Sequence, residues 1–224
     1  MTGSTNNKTI QAVIFDLDGI LLDSEWLAFL AWRELLAERG VSLDDSVFEG
    51  IVGLDDTASA EYVMARTGTT FEVEQYVNRI KQHMLKRVAG DVEPLPGAAQ
   101  LVSRLAQHGL PLAIASNAFT GYVDTALTGL KLSPYFSARV GADKVARPKP
   151  APDVYLSAAQ ALGVDPSRCM AVEDSRVGMQ AASAAGMRVI AVPDRRAHPG
   201  PFPEAWREYG SLLELDKDLD IVLR

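Results

Sequence analysis

The chain has 224 residues and is 47% hydrophobic, enough for one large domain or two small ones with a real core. Its formal net charge is -7, and the 22 Lys and Arg residues are scattered, which argues against nucleic acid as a partner. No apolar run approaches the roughly 18 residues of a membrane span, the first residues are polar, and Cys169 is the only cysteine, which excludes an intramolecular disulfide or a cysteine zinc cluster; a cytoplasmic protein with no membrane partner is expected.

Along the chain, Ala12–Phe15 is a short apolar run that stops abruptly at Asp16 and Asp18-Gly19, the pattern of a buried strand entering a turn. Over the next 65 or so residues that pattern gives way to helical spacing. One stripe holds Leu27, Leu30, Ala31 and Leu35, and a second holds Val73, Tyr76, Val77, Ile80, Met84 and Val88. Residues 90–97, with Pro94 and Pro96, read as a return linker. The spacing then predicts helices over Ala98–Gln107, with Leu101, Val102 and Leu105 on one face, and over 154–162, with Leu156, Ala159 and Leu162 on one face. Short strands alternate with them: Leu112–Ala115 runs into Ser116-Asn117, 170–172 into Glu173-Asp174, and 189–192 into Pro193-Asp194. The tail carries Pro199, Pro201 and Pro203, then a short helical pattern from Trp206 to Leu213.

This alternation predicts an α/β fold: a doubly wound, Rossmann-like parallel sheet with helices on both faces and ligands bound beyond the carboxyl ends of the strands. Residues 1–22 and 90–224 are expected to form that core, and 23–89 a small inserted α-helical domain.

Four polar strand ends carry the chemistry. Asp16 and Asp18 crowd two carboxylates into one turn, an arrangement that needs a shared proton or a cation, although Asp-x-Asp-Gly alone reads equally well as a turn. A hard divalent ion bound through oxygen is the natural remedy, with Glu173 and Asp174 to complete its ligands; by themselves those two residues read as a helix cap. Ser116 and Asn117 offer donors to a phosphate oxygen or, again, a cap. Lys149, held between Pro148 and Pro150, can balance anionic charge beside such a metal site.

In this order, Asp16-Leu17-Asp18-Gly19, Ser116-Asn117, Lys149-Pro150-Ala151-Pro152-Asp153 and Glu173-Asp174-Ser175 resemble the four motifs of the haloacid dehalogenase superfamily, with the helical insert as its cap domain. The resemblance runs from about Ile10 to Asp194 and points to the branch of β-phosphoglucomutase and small-molecule phosphatases. It implies that Asp16 is a nucleophile forming an aspartyl-phosphate and that Asp18 is the general acid and base. It further implies that Ser116, Lys149 and, as an added donor, Asn117 hold the phosphoryl group. Asp16, the Asp18 carbonyl and Asp174, with Glu173 beside them, are expected to bind Mg2+.

The implied function is a magnesium-dependent phosphatase acting on a small phosphorylated metabolite such as a sugar phosphate. Mutase relatives carry a histidine and an arginine in the cap; those places fall at Ala28 and near Asp56, which favours hydrolysis over a phosphosugar mutase. A non-catalytic phosphate-binding module is the reading from another class, and it would not need both a nucleophile and an adjacent acid. His83, His108 and His198 read as packing, loop or helix-end residues, and the oligomeric state is left open, a monomer being compatible.

Overall fold

The computed structural model describes residues 9–90, 92–194, 197–198 and 200–224; the polar start before residue 9 and Pro199 lie outside them. Strand β1 (Ala12–Phe15) is buried along its whole length, because a central parallel strand has helices over both faces and no polar side. It pairs in parallel with β2 (Leu112–Ala115) and β4 (Cys169–Glu173). β3 (Phe136–Val140), β5 (Arg188–Ala191) and the two-residue β6 (Arg207–Glu208) complete a six-stranded sheet of order β3-β2-β1-β4-β5-β6. Phe15 lies opposite both Ile114 and Val172, so the polar residues that follow these three strands emerge side by side.

Between β1 and β2 the chain runs through helices α1 (Ser24–Ala37), α2 (Phe48–Ile51), α3 (Asp56–Thr67), α4 (Val73–Val88) and α5 (Ala98–Gln107). Asp23 and Asp55 cap α1 and α3 by accepting from the amides of Trp26 and Ala58. α1 to α4 share a cluster of their own in which Trp32, Phe71 and Tyr76 stack, with 4.0 Å between the Phe71 and Tyr76 ring centroids. Leu27 and Val88, at the feet of α1 and α4, pack into the core of the sheet instead. α1 buries Phe29, Trp32 and Leu36 as well as the expected Leu27, Ala31 and Leu35, so it is enclosed on more than one side.

After β2 come α6 (Thr120–Gly129), α7 (Asp153–Leu162), α8 (Arg176–Ala184), α9 (Leu212–Lys217) and α10 (Leu219–Val222). α5, α6, α9 and α10 cover one face of the sheet, and α7 and α8 the other. Among the described residues no helix is long and apolar enough to cross a membrane.

Three local expectations change. α7 turns its buried face through Val154, Tyr155, Ala158 and Ala159, and Leu156 is exposed, because small alanines allow the helix to approach the sheet closely. The helical pattern from Trp206 gives way to β6, whose backbone pairs with Ile190 and Ala191, and the helix starts only after its Ser211 cap. β3, not recognised in the sequence, is an edge strand that alternates buried Phe136, Ala138 and Val140 with Ser137 and Arg139.

Candidate active site

At the carboxyl end of β1 the chain turns within a few residues: the Leu21 and Leu22 amides donate to Leu17 O, and the Gly19 amide donates to Leu22 O at 2.8 Å. Gly19 has φ +75°, and a Cβ there would stand 2.1 Å from Asp174 Oδ2. The position therefore requires glycine twice over, once for its backbone angle and once to let the turn lie against Asp174. β2 ends at Ala115 and leads to Ser116, which is buried and accepts from the Ala118 amide at 3.0 Å. β4 ends at Glu173 and leads through Asp174 to Ser175, which caps α8 through the Gly178 amide.

These strand ends meet. Lys149 Nζ lies 2.7 Å from Asp16 Oδ1 and 2.6 Å from Glu173 Oε1, and all three side chains are buried. Asp16, Glu173 and Asp174 each present a carboxylate oxygen within 4.8 Å of the others. Three acids against one lysine leave excess negative charge in a poorly hydrated site, and the oxygen-only donor set fits a hard divalent cation. Burial, then the charges of Glu173 and Asp16, holds Asp174 well above the usual carboxylate range. Asp16 is raised as well, by burial first, against the pull of Lys149. Lys149 stays an ammonium, because its two carboxylate partners outweigh its own desolvation.

Asp18 does not join the acidic cluster with its side chain. Its Oδ1 is fully buried with no hydrogen-bond partner among the described residues, and burial lifts its carboxyl to about 6, partly offset by Ser24, Lys149 and Tyr122. A cleft lined by Asp16, Asp18, Ser24, Glu25, Ser116 and Lys149, among others, joins these groups.

Asn117 lies there too, but its side chain is spent on the lysine loop: Oδ1 accepts from the Lys149 amide at 2.9 Å and Nδ2 donates to Lys149 O at 3.3 Å. Glu173 is likewise engaged at both oxygens, Oε1 by Lys149 and the Tyr155 hydroxyl and Oε2 by the Ser175 amide and hydroxyl. Tyr155 and Tyr122 were not singled out in the sequence, where each reads as one more apolar position of a helix. His198, which the sequence presents as a loop or helix-end residue, stands 3.8 Å from Asp174 Oδ2. Ala28 and Asp56 line an adjoining cavity of the helical insert that shares Ser24 and Glu25 with the cleft, and Asp56 pairs with Lys81 at 2.7 Å.

A parallel sheet whose central strand ends in two closely spaced aspartates, with a buried lysine and an acidic cluster beside the first of them, is a setting suited to phosphoryl transfer. The family profile of haloacid dehalogenase-like hydrolases matches residues 13–192, and the chain belongs to that family. Hexitol phosphatase B of Escherichia coli (strain K12) is 36% identical over 216 residues, covering 95% of this chain and 97% of that protein. Beta-phosphoglucomutase of Bacillus subtilis (strain 168) is 30% identical over 193 residues, 82% of this chain and 83% of the relative. With the bifunctional riboflavin kinase/FMN phosphatase of Arabidopsis thaliana, 93% of this chain aligns at 31% identity but spans only 55% of the larger protein. Among solved structures, a HAD family hydrolase from Deinococcus radiodurans R1 with bound phosphate and sodium superposes with a TM-score of 0.75 at 29% identity, covering 96% of this chain and 97% of that one.

Proposed function

We propose that this chain is a magnesium-dependent phosphoric monoester hydrolase that removes phosphate from a small phosphorylated metabolite of the sugar-phosphate kind. The observation that carries the reading is the ion pair of Asp16 with Lys149 beside the acidic cluster, with Asp18 held apart and poorly hydrated. The Asp16 carboxylate attacks phosphorus while the bond to the leaving oxygen breaks, and Asp18 passes its proton to that oxygen. A water molecule then attacks the aspartyl-phosphate, Asp18 takes its proton, and Asp16 is released.

The Ser116 hydroxyl and the Lys149 ammonium hold the transferring group, since phosphoryl transfer depends on positioned charge more than on covalent help. Asn117 and Glu173 fix Lys149 from the backbone and the side chain respectively. Asp16, Asp174 and the Asp18 main-chain carbonyl would hold the cation, with Glu173 as a further acidic group of the same cluster. When bound, magnesium neutralises the phosphoryl oxygens and restores the Asp16 carboxylate to its charged form.

A phosphosugar mutase is the second reading, raised by the mutase among the relatives. Against it stand Ala28 and Asp56, since the cavity they line holds no cation among its described residues to retain a bisphosphate. The reading is tested by following phosphate release from a panel of sugar phosphates with magnesium, in wild type and Asp16→Asn. Magnesium-dependent release abolished in the variant is expected, whereas equal release by both ends the proposal. Incubation with β-glucose 1-phosphate and a bisphosphate primer separates the readings, because isomerisation without release would favour the mutase.

A further inference from the structure

Two buried polar atoms of the site are left without a hydrogen-bond partner among the described residues: Asp18 Oδ1 and the Tyr122 hydroxyl. An orphaned buried donor or acceptor is costly, so the Tyr122 hydroxyl and the Asp18 carboxyl, each of which feels the other, both gain from pairing. Tyr122 belongs to the first turn of α6, directly after the segment that carries Ser116 and Asn117, and its ring is anchored in the core of the sheet. Burial, and then the Asp18 charge, pushes the Tyr122 hydroxyl up, so it remains a donor across the working pH range.

We propose that Tyr122 is a positioning residue for the general acid, its hydroxyl donating to Asp18 Oδ1 so that the other carboxyl oxygen carries the proton given to the leaving group. Tyr122 keeps its own proton throughout. The proton that reaches the leaving oxygen comes from Asp18 and is recovered from the attacking water. The proposal rests on the phosphatase reading and adds to it a residue outside the four motifs.

Tyr122→Phe keeps the ring and its packing and removes only the hydroxyl. The readout is kcat/KM, which reports transfer to Asp16, measured on an alkyl phosphate and on 2,4-dinitrophenyl phosphate with magnesium. An alkoxide needs a proton to leave and a dinitrophenolate does not. Loss of the positioning bond is expected to lower kcat/KM on the alkyl ester by about tenfold and to leave the dinitrophenyl ester within about twofold.

Asp18→Asn should show the same selectivity with a larger amplitude. An equal fall on both esters makes Tyr122 a packing residue only, and no change on either shows that Asp18 needs no such partner; each result overturns the proposal. Should Tyr122→Phe not fold, Tyr122→Met, which keeps apolar bulk, carries the same comparison. Absence of wild-type activity on both esters strikes the phosphatase reading itself, so the two failures are distinct.

Discussion

Replacing Asp174 by asparagine should reverse the order of stability of wild type and variant according to whether magnesium is present. Asp174 shares a poorly hydrated site with Asp16 and Glu173, their oxygens within 4.8 Å. At that separation and an effective dielectric constant of about 20, each like-charge pair costs about 3.5 kcal/mol, and Lys149 offsets about one of the two pairs. The raised pKa lets Asp174 escape part of the cost by taking up a proton, so the amide should gain about 1–2 kcal/mol in EDTA at pH 8. For a chain of this size that is about 2–8 °C in Tm.

The sign follows from linkage. A carboxyl whose folded pKa lies above its unfolded value of 3.8 binds more protons folded than unfolded. Wild-type stability therefore falls as pH rises from that value through the folded pKa, and the advantage of the variant should grow over the same window. At one hundred times the dissociation constant, magnesium adds about 2.7 kcal/mol to wild type and little to a variant short of a ligand. Thermal unfolding at pH 5 and pH 8, with EDTA and with magnesium, reads all four quantities. An undiminished magnesium shift in Asp174→Asn, or a wild type more stable than the variant in EDTA at pH 8, would refute the reasoning.

Lys149→Met should be among the most damaging single changes, because it strands Asp16 and Glu173 as buried acids without their ammonium. A loss of about 3–5 kcal/mol in urea unfolding of the metal-free protein is expected, along with phosphate release, and a loss under about 1 kcal/mol would show the ion pair to be dispensable. Gly178→Ala tests the packing behind the lysine, since a Cβ there would stand 1.8 Å from Glu173 Oε1. It should cost at least about 2 kcal/mol and lower activity by displacing Glu173, and a variant with wild-type Tm and turnover would remove Glu173 as the anchor of Lys149.

Much of the core of the site was legible because its parts are local. Asp16, Ser116 and Glu173 each follow a short apolar run that reads as a buried strand, and a parallel sheet brings such ends to one edge. The two proline-flanked sides of Lys149 marked it as a held cation in the same way. β3 and β6 escaped because an edge strand need not be apolar throughout and a two-residue strand has no period to detect.

The sequence by itself determined the alternation of strand and helix, the helical insert and the candidate reacting groups, since all of these depend on spacing and residue type within short segments. Only the tertiary structure decided what each group spends its hydrogen bonds on. Asn117 clasps the lysine loop, and Glu173 is engaged at both oxygens by Lys149, Tyr155 and Ser175. These pairings of Lys149 and Tyr155 join residues 18 to 32 positions apart, and their energies come from burial, which exists only once the sheet and its helices have closed over them.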